Sequence, residues 1–418
     1  MLELSFVREH PEAVEADLRK RGDAEKLKWL QDLLENDKRW RLLKREADDL
    51  RASRNTLTKR IQDAKGRKED ASALIAEAKG LPDKIKGKEK LMDGLREKVE
   101  YYLMRLPNIL HESVPEGKGD VDNQVVREWG LKRKFDFELK HHGQLAVELD
   151  VADFERAVKI SGSGFYFLKG DLALMDLSLQ RLAIDMLIGR GYTLITPPLM
   201  MRRKPYEGVT DLADFEEVMY KIADEDQYLI ATSEHPIAAM HMDETLEELP
   251  IKYAGVSPCF RREIGKHGLD ERGLFRVHQF NKVEQFVFCR PEESWAYHEE
   301  LLKNAEDFVK KLGIPYRVTN VCTGDIGTVA AKKYDIEGWS PREDKYIELM
   351  SCSNCTSYQA VRLNIKCREG KETRHVHTLN STMVATARML RLILENYQNK
   401  DGSLEIPAAL QKYMGGGE

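Results

Sequence analysis

The residues best equipped for chemistry crowd into one stretch, Cys259 to Arg290, which reads CFRREIGKHGLDERGLFRVHQFNKVEQFVFCR. Side chains alternate along a strand, so Arg261 and Glu263 leave a first strand on the same side, ahead of a turn-rich loop holding Gly265, Gly268 and Gly273. A return strand from Leu274 to Phe288 places Arg276, His278, Phe280, Lys282 and Glu284 on one face. Val277, Gln279, Asn281, Val283, Gln285 and Val287 take the other. Two arginines, two glutamates and an aromatic ring on one face suit an anionic ligand that also carries a cation and a flat base. A solvated sheet face is the competing reading of such a hairpin.

The rest of the chain must hold this hairpin in place. With 418 residues and 48.1 kDa there is room for two or three domains and a large core. The formal net charge of -5 gives no global sign of a nucleic-acid partner, but its distribution does. From Lys38 to Lys68 twelve Lys or Arg stand against four Asp or Glu, a candidate footprint for a phosphate backbone, with a solvated helix face as the alternative. Met1-Leu-Glu-Leu-Ser lacks the basic and apolar regions of a signal peptide, and no apolar run reaches membrane-spanning length. A cytoplasmic protein without membrane contact is expected. Six cysteines in so long a chain fit reduced thiols. Cys352 and Cys355 have zinc-knuckle spacing, with Cys367, His375 and His377 downstream, but no second CxxC accompanies them and zinc is not expected.

Residues 1–26 suggest a short strand and a helix starting near Pro11. A long helical region follows, from about 27 to 106. Leu43, Leu50, Leu57 and Ala64 recur every seven residues, with Ala47 and Ile61 between them. Leu74, Ala78, Leu81, Ile85, Met92, Leu95, Val99, Tyr102 and Leu106 continue the seam, interrupted by Lys88. A tip at 66–70 divides the region into two helices of roughly 36 residues, about 55 Å each, with a kink at Pro82 in the second. Such a coiled-coil hairpin is a dimerisation strut or an arm that reaches a large partner, and its basic surplus favours the arm. The N-terminal domain is placed at 1–115, a linker and the start of the catalytic domain at 116–165, and the catalytic domain itself at 166–418. Within the last two lie a helix at 171–190, a strand ending at Thr196-Pro-Pro198, a helix near 292–312, a strand near 345–351 and a final helix over 382–398. These predict an α+β fold, an antiparallel sheet with helices packed on it. Neither a P-loop nor a Rossmann glycine pattern is present, so a nucleotide would be held another way.

Phe260-Arg-Arg-Glu263, with Arg272-Gly-Leu-Phe-Arg-Val-His-Gln-Phe280 and Lys282-Val-Glu-Gln285, resembles motif 2 of class II aminoacyl-tRNA synthetases in its seryl-tRNA synthetase form. Ile347-Glu-Leu-Met-Ser-Cys-Ser-Asn-Cys355, His377-Thr-Leu-Asn380 and Arg388 to Gln398 extend the likeness to motif 3, and Gly191 to Pro198 resembles motif 1. With the arm included, the resemblance spans essentially the whole chain. It implies ATP-dependent activation of L-serine to seryl-adenylate, then transfer to the 3′-terminal adenosine of tRNA(Ser); whether the selenocysteine tRNA is also a substrate, as is common in the family, stays open.

By the same resemblance, Arg261 holds the α-phosphate and the serine carboxylate. Glu263 takes the adenine amino group, Phe280 stacks on the ring, and Val277 lines the pocket. Arg276 and Arg388 meet the outer phosphates, and Arg262, Leu349 and Met350 join the nucleotide set. Glu348 and Ser351 are the implied Mg²⁺ ligands. Arg261, Glu348 and Arg388 carry the catalysis. Thr232, Ser233 and Glu234, with Glu284, surround the ammonium of the serine, Arg261 holds its carboxylate and Thr382 faces its hydroxyl. The arm grips the long variable arm of tRNA, with Arg51, Arg54, Lys59 and Arg60 as its candidates, and a homodimer is implied. Two departures stand out: Thr232-Ser-Glu234 stands where Thr-Ala-Glu is commoner and is followed by His235, read as structural, and Ala387 precedes Arg388 where glycine or proline is usual. They touch local backbone shape and the amino-acid site. Two alternatives stay open, a paralogue that loads a small amino acid onto a carrier protein and an inactive RNA-binding scaffold.

Overall fold

The computed structural model describes residues 1–211, 217–263 and 273–415. The chain forms two compact units that divide between Leu106 and Pro107, so that Pro107–Pro115 belong with the second.

The first unit opens with helices α1 (Leu4–Glu9) and α2 (Pro11–Lys20). Leu4 and Val7 share a face at helical spacing, and Val7 is fully buried, so a helix stands where a strand was expected. Pro11 occupies the first turn of α2, where a missing N–H goes unnoticed. Helix α3 (Ala24–Gly66) begins at Asp23, whose side chain accepts from the Lys26 N–H at 2.9 Å. Arg8 donates twice to the buried Asp37 of α3, at 2.9 and 2.6 Å, and Arg41 adds a third bond at 3.0 Å.

Helices α4 (Ser72–Lys79) and α5 (Leu81–Leu103) return along α3. Leu57, Ala64, Ile85, Leu95 and Val99 are buried in the seam between the helices. Lys88, which interrupts the apolar repeat, is answered by Glu46 across the seam. The kink expected at Pro82 is a full break: α4 ends at Gly80, and α5 starts afresh with Pro82 in its first turn.

An eight-stranded sheet forms the second unit. Its strands are β1 (Gln124–Trp129), β2 (Thr193–Ile195), β3 (Ile251–Phe260), β4 (Gln279–Cys289), β5 (Tyr316–Asn320), β6 (Lys332–Ser340), β7 (Lys345–Asn354) and β8 (His377–Ala385), in spatial order β1-β5-β6-β7-β8-β4-β3-β2. All neighbours are antiparallel except β2, which joins β3 in parallel. Helices α6 (Gly170–Ile188), α7 (Ser294–Lys311) and α8 (Thr386–Asn396) cover its apolar face, burying Leu179, Phe308, Leu390, Ile393 and the inward residues of the central strands. Each such aliphatic or aromatic side chain contributes about 1.5–3 kcal/mol on leaving water.

Two expected boundaries move. The helix placed over 382–398 begins only at Thr386, because Thr382 and Val384 pair with β4 as strand residues. The return strand begins at Gln279 instead of Leu274, and residues 273–278 form a turn and bend. The loop expected around Gly265 and Gly268, and Arg272, lie outside the described residues.

Truncating Ile85 to alanine leaves a hole in the α3–α5 seam and lowers the stability of the arm by about 2–4 kcal/mol. Hydrogen exchange on the whole protein checks this, with faster exchange confined to peptides from 24–103 and no change beyond residue 107.

Candidate active site

A cleft opens over the centre of the sheet where β4, β7 and β8 run side by side. Its floor is set by two irregularities in the strands. On a regular strand Glu348 and Ser351 would face opposite ways. The β6–β7 register slips at this point, with Ile336 opposite Met350 but Glu337 opposite Glu348, so Leu349 is the extra residue of a bulge. Glu348, Leu349 and Ser351 all line the cleft. On β8 the register slips between Thr382 and Val384, and Thr382 and Ala385 both line it as well.

The hairpin supplies the facing wall. Phe280 and Lys282 point into the cleft from β4, as the strand arithmetic requires. Phe275 and Val277 reach the same cleft from the bend, although Val277 was assigned to the opposite face. Alternation carried back through residue 274 fails because the ladder stops at Gln279. His278 turns instead toward Phe165, stacked at 5.2 Å, and the Tyr220 hydroxyl at 2.5 Å.

Arg261 lies over the Phe280 ring at 5.4 Å and donates from Nε to the Ala231 carbonyl at 3.3 Å. Glu263, in the left-handed region at φ 41°, accepts from Arg276 Nη1 at 3.3 Å. Arg276 therefore sits at the rim. Arg388 Nη1 is 3.3 Å from Glu348 Oε1, and its guanidinium lies 5.5 Å over Phe275. That cation holds the Glu348 carboxyl below its ordinary range.

Deeper in, the side chains are polar and enclosed. Lys282 forms an ion pair with Glu284 and donates to Thr232 Oγ1 at 3.2 Å. Thr382 stands opposite Glu284 in the ladder. Glu234 accepts from the amides of Gln359 and Asn380, each at 3.1 Å. Desolvation, reinforced by the neighbouring Glu284, raises the Glu234 carboxyl to about 7. Burial also raises Glu284, against the pull of Lys282.

Three of the expected residues stand elsewhere. Arg262 is exposed and outside the cleft. Met350, on the far side of the bulge, is buried in the apolar core. Ser233 faces Gly255 of β3, where a Cβ would come within 2.6 Å of its hydroxyl. His235 is buried against the Tyr206 hydroxyl at 3.0 Å, and desolvation lowers it to about 3. Cys352 and Cys355 are buried thiols, the latter accepting from Asn380 Nδ2 at 3.6 Å. On the arm, Arg51 is tied to Asp48 and Glu89 at 2.7 and 2.6 Å, whereas Arg54, Lys59 and Arg60 are exposed. Lys282 was noticed on the hairpin but given no role, Phe275 and Asn380 stood inside the motif 2 and motif 3 strings without a role, and Gln359 carried no signal that placed it here.

This geometry, a cleft on an antiparallel sheet flanked by arginines from a hairpin and from the helix after the last strand, is that of a class II aminoacyl-tRNA synthetase. Residues 219–397 match the tRNA synthetase class II core domain (G, H, P, S and T), and residues 1–110 match the seryl-tRNA synthetase N-terminal domain. The chain belongs to the seryl-tRNA synthetase family. It is 61% identical over 421 residues to the serine–tRNA ligase of Methanocorpusculum labreanum, covering 100% of this chain and 99% of that protein. Among solved structures it resembles the Pyrococcus horikoshii seryl-tRNA synthetase complexed with ATP, with TM-score 0.95, 47% identity, and 99% and 98% of the two chains covered. It also resembles the cytoplasmic serine–tRNA ligase of Naegleria fowleri in complex with AMP, with TM-score 0.90, 36% identity, and 100% and 98% covered.

The raised Glu234 carboxyl has a consequence for stability. Between pH 4.5 and about 7 the folded protein keeps a proton that the unfolded chain has released, so this group lowers stability as pH rises through that window. Glu234→Gln flattens that part of the profile, while Asp335, also raised to about 7 by burial, leaves a residual slope. Urea midpoints from about pH 5 to about pH 8 measure the difference.

Proposed function

We propose that this seryl-tRNA synthetase binds ATP with its phosphates between Arg261 and Arg388 and its adenine against Phe280, and seats L-serine over Thr232, Glu234, Glu284 and Thr382. The observation that carries this reading is the meeting of a doubly cationic cleft with an enclosed polar pocket at Arg261. A carboxylate with a pKa of about 3.5 is already ionised, so activation needs alignment and charge neutralisation more than a base. One serine carboxylate oxygen forms a bond to the α-phosphorus as the bond to the bridging oxygen of pyrophosphate breaks, and the electron pair leaves with pyrophosphate. Arg261 spans the two negative groups that must approach, and Arg388 meets the charge that builds on the leaving side. In the second step the terminal hydroxyl oxygen of tRNA bonds to the acyl carbon as the bond from that carbon to the phosphate oxygen breaks, and AMP leaves together with the hydroxyl proton.

Glu348 and Ser351 suit Mg²⁺: a carboxylate kept ionised by Arg388 and a hydroxyl, both hard oxygens on the same wall of the cleft. Bound there, the ion would neutralise phosphate charge. Glu263 answers the adenine amino group and Arg276 the outer phosphate from the rim. Val277 and Leu349 act through shape. The exposed cations Arg54, Lys59 and Arg60 serve the tRNA(Ser) backbone, and the selenocysteine tRNA would engage the same surface. The exposed Leu174, Leu177 and Ile188 of α6 support a homodimer. No described helix is long and apolar enough to cross a membrane; the cytoplasm is the compartment this reading assigns to the enzyme.

Two measurements test the reading. Arg261→Ala reduces serine-dependent ATP–pyrophosphate exchange by about 100-fold or more with folding retained, and an unaltered rate removes Arg261 from the chemistry. Replacing Arg54, Lys59 and Arg60 together with alanine weakens tRNA charging and lowers its salt slope by about 2 to 3 while sparing exchange. Exchange without any transfer to tRNA in the unaltered protein would favour the carrier-loading paralogue.

A further inference from the structure

Two fully buried ionisable side chains outside the cleft take no part in the reaction described above: His142, in the first turn of a short helix (His142–Glu148), and Glu395 near the end of α8. Both bear on the bend at residues 273–278, which has no strand partner because the β3–β4 ladder stops at Gln279. The far end of the bend is pinned by backbone. The His278 N–H donates to the Gly164 carbonyl at 2.8 Å, and the His278 carbonyl accepts from the Arg261 N–H at 2.9 Å. The near end is pinned by a side chain. Leu274 is fully buried, and its N–H donates to Nε2 of His142 at 3.2 Å. Gly273 permits that approach at φ 84°, since a Cβ there would stand 2.7 Å from Nε2.

A ring nitrogen that accepts an N–H carries no proton of its own, so the imidazole proton sits on Nδ1, which faces Glu395 Oε1 at 3.5 Å. The same carboxylate accepts from Arg391 Nε at 3.0 Å and from the Ser340 hydroxyl. Arg391 is itself buried and lies 4.4 Å from the Phe275 ring. Arg388 lies 5.5 Å from that ring and beside Glu348.

We propose that His142, oriented by Glu395, is a positioning residue for the ATP phosphates: its Nε2 fixes the Leu274 amide, and with it the Phe275 ring against which Arg388 is set. The inference rests on reading the cleft as the ATP site and Arg388 as a phosphate ligand. Without the acceptor a buried amide is left unpaired, and the near end of the bend shifts to find another partner. Phe275 shifts with it, and Arg388 loses the aromatic face beside it. The serine pocket is held by other contacts, Glu284 and Thr382 by the β4–β8 ladder and Glu234 by the amides of Gln359 and Asn380, and is spared.

ATP–pyrophosphate exchange on the whole protein, with ATP and serine varied separately, tests this in two variants. His142→Phe fills the same space without an acceptor, and His142→Gln brings a carboxamide to the Nε2 position. His142→Phe lowers kcat/KM for ATP by about tenfold or more and leaves KM for serine within about twofold, and His142→Gln recovers most of the loss. A packing role predicts that both variants lose alike and that both KM values move. That outcome, or an unchanged kcat/KM for ATP in His142→Phe, overturns the proposal. If His142→Phe does not fold, His142→Asn carries the same comparison, because its carboxamide reaches only the Nδ1 position. An unaltered protein without serine-dependent exchange would overturn the reading of the site itself, which is a different result from an active enzyme indifferent to His142.

Discussion

Charge has to be answered inside the cleft, and that constraint organises the whole second unit. Arg388 is matched by Glu348, Arg276 by Glu263 and Lys282 by Glu284, while Arg261 rests on the Phe280 ring and the Ala231 carbonyl. An unpaired charge here would cost several kcal/mol. The other face of the sheet carries the apolar core under α6, α7 and α8, and the polar side chains buried among them are themselves answered, Arg391 by Glu395 at 3.0 Å and Asn304 by Gln285 at 2.8 Å. ATP and an amino acid bring their own phosphates, carboxylate and ammonium, and binding becomes an exchange of partners among charges already present.

Placement of those charges depends on backbone irregularity. The slips at Leu349 and Met383 each turn a strand by one residue, so Glu348 with Ser351, and Thr382 with Ala385, share a face that regular pleating would deny them. Leu349 belongs to the apolar core and also reaches the cleft wall, whereas its neighbour Met350 is in the core and does not line the cleft. Ala385 and Ala387, small residues at the strand-to-helix junction, leave room beside Arg388.

Much of this was legible in the sequence. The heptad positions of the arm, the antiparallel sheet and the pairing of motif 2 with motif 3 residues follow from periodicity and from motif order. The misplacements have local causes. Strand alternation was carried through residues 273–278, which are bent, and a run ending in Ala385 looked helical because β8 passes directly into α8. Arg51 read as a free cation on the arm, yet Asp48 and Glu89 hold it, and Glu89 lies thirty-eight residues away where no local pattern could pair them. Gln359 was invisible for a similar reason, and Asn380, though inside the motif 3 string, had no role, since amides acquire meaning only from the carboxylate they face. Lys282 was visible but had no role until its neighbours were known.

The break at Gly80 gives the arm an unequal pair of rails. α3 runs for 43 residues without interruption, about 65 Å at the rise of an α-helix, while its partner is jointed where α4 meets α5. A beam built that way flexes at its joint. Deformation concentrates in the outer third, beyond Gly80, and leaves the segment nearer the base, where Trp29 meets Tyr101 and Tyr102, comparatively stiff.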